Sequence, residues 1–171
     1  MKNIVIILSI LLLWDYVVVA QNDCKKETAL YLAAYNYIVN DSVNQNKQIS
    51  VSNFIVDLDR FWFSEDLKNF PVEKEKVNQY REYRGFNWFE PYYSHCIDSL
   101  FCKKNQQANS VLFFSKIENN MLRADVLPHK RCVDKFDYNA MAFQTVGQIY
   151  LFIFDEDGTI KMTFSREIIY D

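Results

Sequence analysis

The chain has 171 residues, half of them hydrophobic, and a formal net charge of −3 at neutral pH. This length allows one domain with a substantial core. Because acidic residues slightly outnumber basic ones and no long basic run occurs, the composition argues against nucleic acid as a partner.

Residues 1–20 have the features of a secretory signal peptide. Lys2 is followed by a long apolar run, and small side chains precede a cleavage position after Ala20. The alternative is an uncleaved anchor, but Asp15 interrupts the run before it reaches the roughly 20 residues that span a membrane. We therefore predict that residues 21–171 are released as a single secreted or periplasmic domain, with no membrane attachment after cleavage.

Four cysteines follow the predicted cleavage position. In an oxidising compartment an even number of cysteines predicts disulfides, here two, and three pairings are open. A zinc site is the alternative, because one histidine adjoins a cysteine and another lies three residues before one. The spacings do not match those of zinc sites, so we expect neither a metal nor another cofactor. The cysteines are Cys24, Cys96, Cys102 and Cys132.

A helix is predicted at the start of the domain. Five apolar residues recur at helical spacing: Leu30, Ala33, Ala34, Tyr37 and Ile38. Asn40 and Asp41 can end this helix, and the polar stretch that follows, to residue 48, is expected to be a loop. Asn40, Asp41 and Ser42 also form an N-glycosylation sequon, which is meaningful only in a host that glycosylates.

The middle of the chain is predicted to hold one strand and short helices. Residues 49–58 are rich in β-branched side chains and predict a strand. Ser64, followed by two acidic residues, is typical of a helix start. Residues 85–93, with the sequence GFNWFEPYY, are expected to pack irregularly on the body of the domain, before a short helix over residues 94–103.

The second half is predicted to be a four-stranded antiparallel meander. Residues 111–117 and 121–127 flank an Asn-Asn pair that suits a hairpin turn. Residues 140–154 and 159–165 flank a second turn with the sequence DEDG. Gly147, within the third of these strands, predicts a bulge or a bend.

Together these elements predict an α+β fold in which N-terminal helices pack on a curved antiparallel sheet. The third strand of the meander is apolar on both sides, because Phe152 and Phe154 alternate with Leu151 and Ile153. One face of this strand therefore needs a cover, which the helices can supply. The arrangement is similar, as an architectural analogy only, to cystatin-like and NTF2-like folds.

Three groups of residues have the chemistry of a site. Asp155 and Asp157 precede a glycine, as in calcium loops, but the later glutamate of such a loop is missing, so a simple turn is expected. Asp57 and Asp59 are a candidate carboxylate pair of a hydrolase, since residues two apart on a strand share a face. His95 adjoins Cys96, which suggests a thiol nucleophile with a histidine base. Adjacent residues cannot easily form the hydrogen bond between base and nucleophile, so this site is not expected.

The aromatic residues give the strongest indication of a binding surface. Trp62, Trp88, Tyr92 and Tyr93 have the flat, amphipathic rings that bind sugars or peptides. The competing interpretation is that these rings fill the interface between helices and sheet. By strand alternation Trp62 points away from Phe63, and we expect aromatic neighbours to cover it.

The sequence thus favours an exported, non-enzymatic binding or structural domain. The expected ligand is a protein, a peptide or a carbohydrate. The alternative is a small exported hydrolase that uses the carboxylates near Asp57 and Asp59. No serine lies in the context of a nucleophile elbow, so no catalytic residue is predicted beyond that alternative.

Overall fold

The computed structural model of the protein describes residues 24–58, 60–68, 91–101, 107–130 and 136–170. These ranges form an α+β structure with one mixed sheet and few helices. Several features singled out in the sequence lie outside the described residues: the predicted signal peptide, Asp59, Trp88, Cys102 and Cys132.

In the described ranges one long helix and two short ones accompany the sheet. Helix α1 covers residues 24–40, α2 is Ser64–Lys68 and α3 is Tyr138–Ala142. Single 3-10 turns lie at Ser42–Asn44, Phe61–Phe63 and His95–Ile97. The predicted helix start at Ser64 and the predicted end of α1 at Asn40 are both confirmed.

The sheet of the described residues has six strands in the order β2-β1-β3-β4-β5-β6. Neighbouring strands run antiparallel except β1 and β3, which are parallel. The strands are β1 Ile49–Ile55, β2 Tyr92–Tyr93, β3 Ser110–Phe114, β4 Met121–Pro128, β5 Val146–Phe154 and β6 Ile160–Ile169.

The predicted meander is confirmed as β3 to β6, but the predicted sheet was too small. The sheet of the described residues has six strands rather than four. It is mixed rather than antiparallel, because β1 lies beside β3 and runs parallel to it. A parallel pair needs a long crossover, and the chain between β1 and β3 is long enough to provide one. Strand β5 also begins later than predicted, because Asp137 caps α3 by accepting a hydrogen bond from the Ala140 N–H at 3.2 Å.

Both hairpin turns are present. Asn119 and Asn120 adopt φ values of 52° and 57°, so the turn between β3 and β4 uses the left-handed conformation that asparagine tolerates. Gly158 has a φ of 86° in the turn between β5 and β6, where its N–H donates to the carbonyl of Asp155 at 3.0 Å. The DEDG sequence therefore closes a hairpin, as predicted.

Strand β5 is buried on both faces, as its sequence predicts. Tyr150, Phe152 and Phe154 face α1 and form the main apolar core with the buried residues of that helix. On the opposite face Leu151 packs against Phe63, from the 3-10 turn before α2. The buried residues of α1 in the main core are Leu30, Tyr31, Ala34 and Ile38. On the opposite face of the sheet the cluster around Phe63 also contains Leu67, Ile149, Ile153 and Ile168.

The expectation of a bulge at Gly147 is wrong. Gly147 pairs in register with Ile168, and the irregularity in this hairpin lies between Ile153 and Phe154. A Cβ atom at position 147 would lie 2.7 Å from Cδ2 of Leu127 and 3.0 Å from Cε2 of Tyr170. Glycine is therefore favoured here, because a larger residue would force the buried Leu127 side chain and the partly buried Tyr170 ring to shift.

Replacing Gly147 by alanine should lower the free energy of unfolding by about 1 to 3 kcal/mol, because the new methyl group forces Leu127 and Tyr170 to move. Urea unfolding of the purified domain measures the loss. Val146→Ala is the matched control at the neighbouring, exposed position, and it should stay within about 0.5 kcal/mol of the parent. Equal stability of the parent and Gly147→Ala would contradict the close approach.

Candidate functional site

The predicted ligand residues Tyr92 and Tyr93 form β2, the strand at one end of the described sheet. Their side chains are 40% and 44% exposed. Because successive side chains of a strand point to opposite faces, the two rings flank the strand on both sides. Together with His95 and Asp98, which follow in the next turn, these residues form a surface that we call the tyrosine edge.

Hydrogen bonds organise one half of the tyrosine edge. The hydroxyl of Tyr93 lies 2.7 Å and 2.6 Å from the two carboxylate oxygens of Asp98 and donates to that group. Nδ1 of His95 lies 3.3 Å from Oδ2 of the same carboxylate, and the His95 ring meets the Tyr93 ring edge-on at 4.7 Å. The hydrogen bond to Asp98 raises the pKa of Tyr93, so the phenol stays protonated and the ring stays oriented.

Tyr92 is influenced by burial and by two nearby carboxylates. Burial raises the pKa of its phenol, and the carboxylates of Glu27 and Glu118 add to the effect. Glu27 belongs to α1, so this ring lies toward the helix-covered face of the sheet. Tyr93, by contrast, pairs across the strands with Phe54, whose ring it meets edge-on at 6.3 Å.

A disulfide-compatible cysteine pair joins the tyrosine edge to the start of α1. Cys24 and Cys96 are bonded with their Cα atoms 5.2 Å apart, across 72 residues of sequence. The hydroxyl of Thr28 lies 2.7 Å from the carbonyl oxygens of both cysteines. Cys96 is thereby the partner of Cys24 among the three pairings left open by the sequence.

Packing and hydrogen bonds also hold the turn that follows β2. The N–H of Ser94 donates to the carbonyl of Asn53 in β1 at 3.0 Å. The hydroxyl oxygen of Ser94 caps the next turn by accepting from the Cys96 N–H at 3.3 Å, and Ile97 is completely buried in the main core. The tyrosine edge therefore rests on a fixed support.

Trp62 is not brought to the tyrosine edge. Its side chain is 42% exposed, whereas the adjacent Phe63 is fully buried. Phe63 packs with residues of β5 and β6, several strands away from β2. Trp62 and the two tyrosines thus belong to different surfaces, and Trp88 lies outside the described residues.

The other candidate groups have simpler surroundings. Asp155 and Asp157 border an open cleft of about 530 Å³, but Asp155 pairs with Lys161 at 3.1 Å and Asp157 accepts two hydrogen bonds from Thr159. Those hydrogen bonds lower the pKa of Asp157. Asp57, a candidate residue of the hydrolase alternative, lies just after the end of β1, and its side chain is exposed. Among the described residues no cluster of three or more His, Cys, Asp or Glu side chains is arranged to hold a metal ion.

A buried polar cluster, the Arg123 cluster, was not foreseen from the sequence. It consists of Arg123 and Asp125 of β4, Tyr138 of α3 and Tyr170 after β6. The guanidinium of Arg123 donates to both oxygens of Asp125 at 2.9 Å, and both tyrosine hydroxyls donate to Oδ2 of the same carboxylate, Tyr138 at 2.7 Å. Arg123 and Asp125 are almost wholly buried. Asp125 thus has several donors, as a buried charge requires.

The electrostatics of the Arg123 cluster keep both tyrosines protonated. Burial alone lowers the pKa of Arg123, but the adjacent negative charge of Asp125 outweighs it and raises that pKa. Burial, followed by the charge of Asp125, raises the pKa of both Tyr138 and Tyr170 above the ordinary value of 10.0. With its polar groups satisfied internally, the cluster stabilises the interface between α3 and the sheet and does not present a reactive group.

The comparisons with known proteins do not assign a family. No protein-family model, curated protein sequence or solved structure matches the chain. In the part of the chain that the structure describes, no helix has both the length and the apolar character needed to cross a bilayer. Any function must therefore be inferred from the geometry of the molecule.

The Arg123 cluster predicts a loss of stability at alkaline pH. Because the folded protein raises the pKa of Tyr138 and Tyr170, their contribution is complete below the ordinary tyrosine pKa of 10.0 and declines above it. The decline approaches about 1.4 kcal/mol per pH unit for each tyrosine. Urea unfolding at several pH values, with tyrosinate absorbance recorded in parallel, measures it.

Tyr138→Phe is the matched variant for this experiment. It removes one titrating group, so the free energy of unfolding should fall less steeply above pH 10 than in the parent. At neutral pH the variant should be less stable by about 1 to 3 kcal/mol, because Asp125 loses a donor. Identical slopes for the two proteins would contradict the assignment of the alkaline loss to this cluster.

Proposed function

We propose that the protein is an exported, non-enzymatic binding domain and that the tyrosine edge contacts its ligand. The observation that carries this proposal is the pair of exposed tyrosines on a two-residue strand with a fixed support. Tyrosine gives a large contact area at low cost in conformational entropy, and it is enriched at binding surfaces for that reason.

The proposed compartment is extracellular or periplasmic. A signal peptide over residues 1–20 would deliver the chain there, and the Cys24–Cys96 pair is of the kind that persists in oxidising surroundings. Cys102 and Cys132 are proposed to form the second disulfide, as the two cysteines that remain. The analogy with cystatin-like and NTF2-like architectures rests on the helix that packs on a sheet and adds no ligand.

The proposed ligand is an extended segment of a partner polypeptide. An extended peptide presents alternate side chains to opposite sides, and exposed rings on both faces of a short strand can contact such a segment. Tyr92 and Tyr93 lie on opposite faces of such a strand, and each can pack on alternate side chains of the peptide.

A carbohydrate is the second candidate ligand. Asp98 and His95 place a carboxylate and an imidazole beside the Tyr93 ring. This combination of a flat ring with hydrogen-bonding groups at its border suits a sugar, whose apolar face stacks while its hydroxyls bond. In the hydrolase alternative, Asp57 is an exposed carboxylate after β1 and Asp59 lies outside the described residues.

Selection from a displayed library of random peptides, together with an array of glycans, tests the proposal. We expect the parent domain to enrich peptides of extended, β-forming composition. Tyr92→Ala and Tyr93→Ala should each weaken binding of an enriched peptide at least about tenfold, as expected for the loss of an aromatic anchor. Binding of glycans alone would favour the second candidate.

Two control variants test whether the tyrosine rings themselves make the contact with the ligand. Phe143→Ala removes an exposed aromatic side chain just before β5, and it should leave binding unchanged. Tyr93→Phe keeps the ring and removes only the hydrogen bond to Asp98, so it should retain most of the affinity for a peptide. A Tyr92→Ala, Tyr93→Ala double variant that folds and binds as the parent does would refute the assignment of the tyrosine edge.

A further inference from the structure

We infer that Asn40 is an N-glycosylation site and that its glycan covers the far end of α1. The sequon Asn40-Asp41-Ser42 is the single Asn-X-Ser/Thr sequence, with X other than proline, in the 171 residues. Asn40 is the last residue of α1, and both Asn40 and Ser42 are exposed. The inference rests on the export that the proposed function assumes, because the modification takes place in a secretory compartment.

The acceptor nitrogen lies on the exposed side of α1 and makes one hydrogen bond, which glycosylation can retain. Nδ2 of Asn40 donates one hydrogen bond, to the carbonyl of Asn36 at 2.7 Å on the exposed side of the helix. Glycosylation joins Nδ2 to the anomeric carbon of a lipid-diphosphate-linked oligosaccharide. The bond from that carbon to the diphosphate breaks, the lipid diphosphate leaves with the electron pair, and Nδ2 loses one proton. The second N–H remains and can still donate to Asn36.

A buried network fixes the chain directly after the sequon, so that the acceptor faces outward. Asn44 is buried and donates to the carbonyl of Ile38 and to the hydroxyl of Tyr150, both at 2.8 Å. The hydroxyl of Tyr150 in turn donates to the carboxylate of Asp41 at 3.0 Å. The side chain of the central sequon residue is therefore tied to the sheet, while its two neighbours remain on the surface.

The surroundings of Asn40 contain apolar surface that a glycan can shield. Tyr37 and Val43, three residues before and after Asn40, are 44% and 54% exposed. A covalently attached, strongly hydrated oligosaccharide next to these side chains reduces their availability for association between molecules. The position also spares the proposed binding surface, because α1 places Asn40 about 24 Å from Cys24 at 1.5 Å per residue.

Secretion of the full chain from a eukaryotic cell line tests the inference. We expect the parent protein in the medium to migrate as a single larger species that peptide-N-glycosidase shifts to the size of the unmodified domain. Release of the glycan in heavy-oxygen water should convert Asn40 to labelled aspartate within the tryptic peptide 27–47. Asn40→Gln and Ser42→Ala should abolish the shift, whereas Ser42→Thr and Asn36→Gln should keep it.

The two proposals fail in different ways. Protein that reaches the medium without a glycan overturns the glycosylation inference and leaves export intact. Protein that stays in the cytosol overturns export by residues 1–20. In that case residues 1–20 are replaced by an established secretory signal peptide, and the parent and the same variants are secreted and compared again. An unmodified Asn40 in that secreted protein again overturns the inference, and a glycan on it supports the site.

Discussion

The covalent link between Cys24 and Cys96 is the constraint on which the proposed binding surface depends. Strand β2 has only two residues, and a strand of that length has too few hydrogen bonds to hold its own position. The disulfide ties the turn after β2 to the first residue described in α1, across 72 residues of sequence. Closing a loop of that size is worth about 4 kcal/mol in the chain-entropy account. Tyr92 and Tyr93 are therefore displayed by a rigid support, which would lower the entropic cost of the proposed binding.

The position of α1 follows from strand β5, which is apolar on both faces and must be covered on both. Helix α1 covers Tyr150, Phe152 and Phe154, while the segment around Phe63 covers Leu151 on the other side. This burial fixes the helix at both ends. Its start carries the cysteine that holds the tyrosine edge, and its end carries the sequon. The same helix thus separates the proposed binding surface from the proposed glycosylation site.

Local sequence patterns predicted the features that depend on short-range contacts. The α1 stripe, the Asn119-Asn120 turn and the DEDG turn were predicted because spacing and turn chemistry act over a few residues. The Arg123 cluster was missed because alternation along β4 places Arg123 and Asp125 on what reads as a wet face. Residues far away in the sequence, Tyr138 and Tyr170, bury that face. The parallel pairing of β1 with β3 was missed because it also joins residues that are far apart in the sequence. The aromatic residues were recognised, but the sequence did not show that they lie on two different surfaces.

Disulfide mapping of the protein recovered from the growth medium tests the account most directly. The protein is digested without reduction by chymotrypsin, which cuts at Phe101 between Cys96 and Cys102, and the linked peptides are identified by mass spectrometry. We predict one linked pair that joins Cys24, in a peptide beginning at Gln21, to Cys96. A free thiol at Cys24, or a bond from Cys24 to another cysteine, would contradict the link that holds the tyrosine edge.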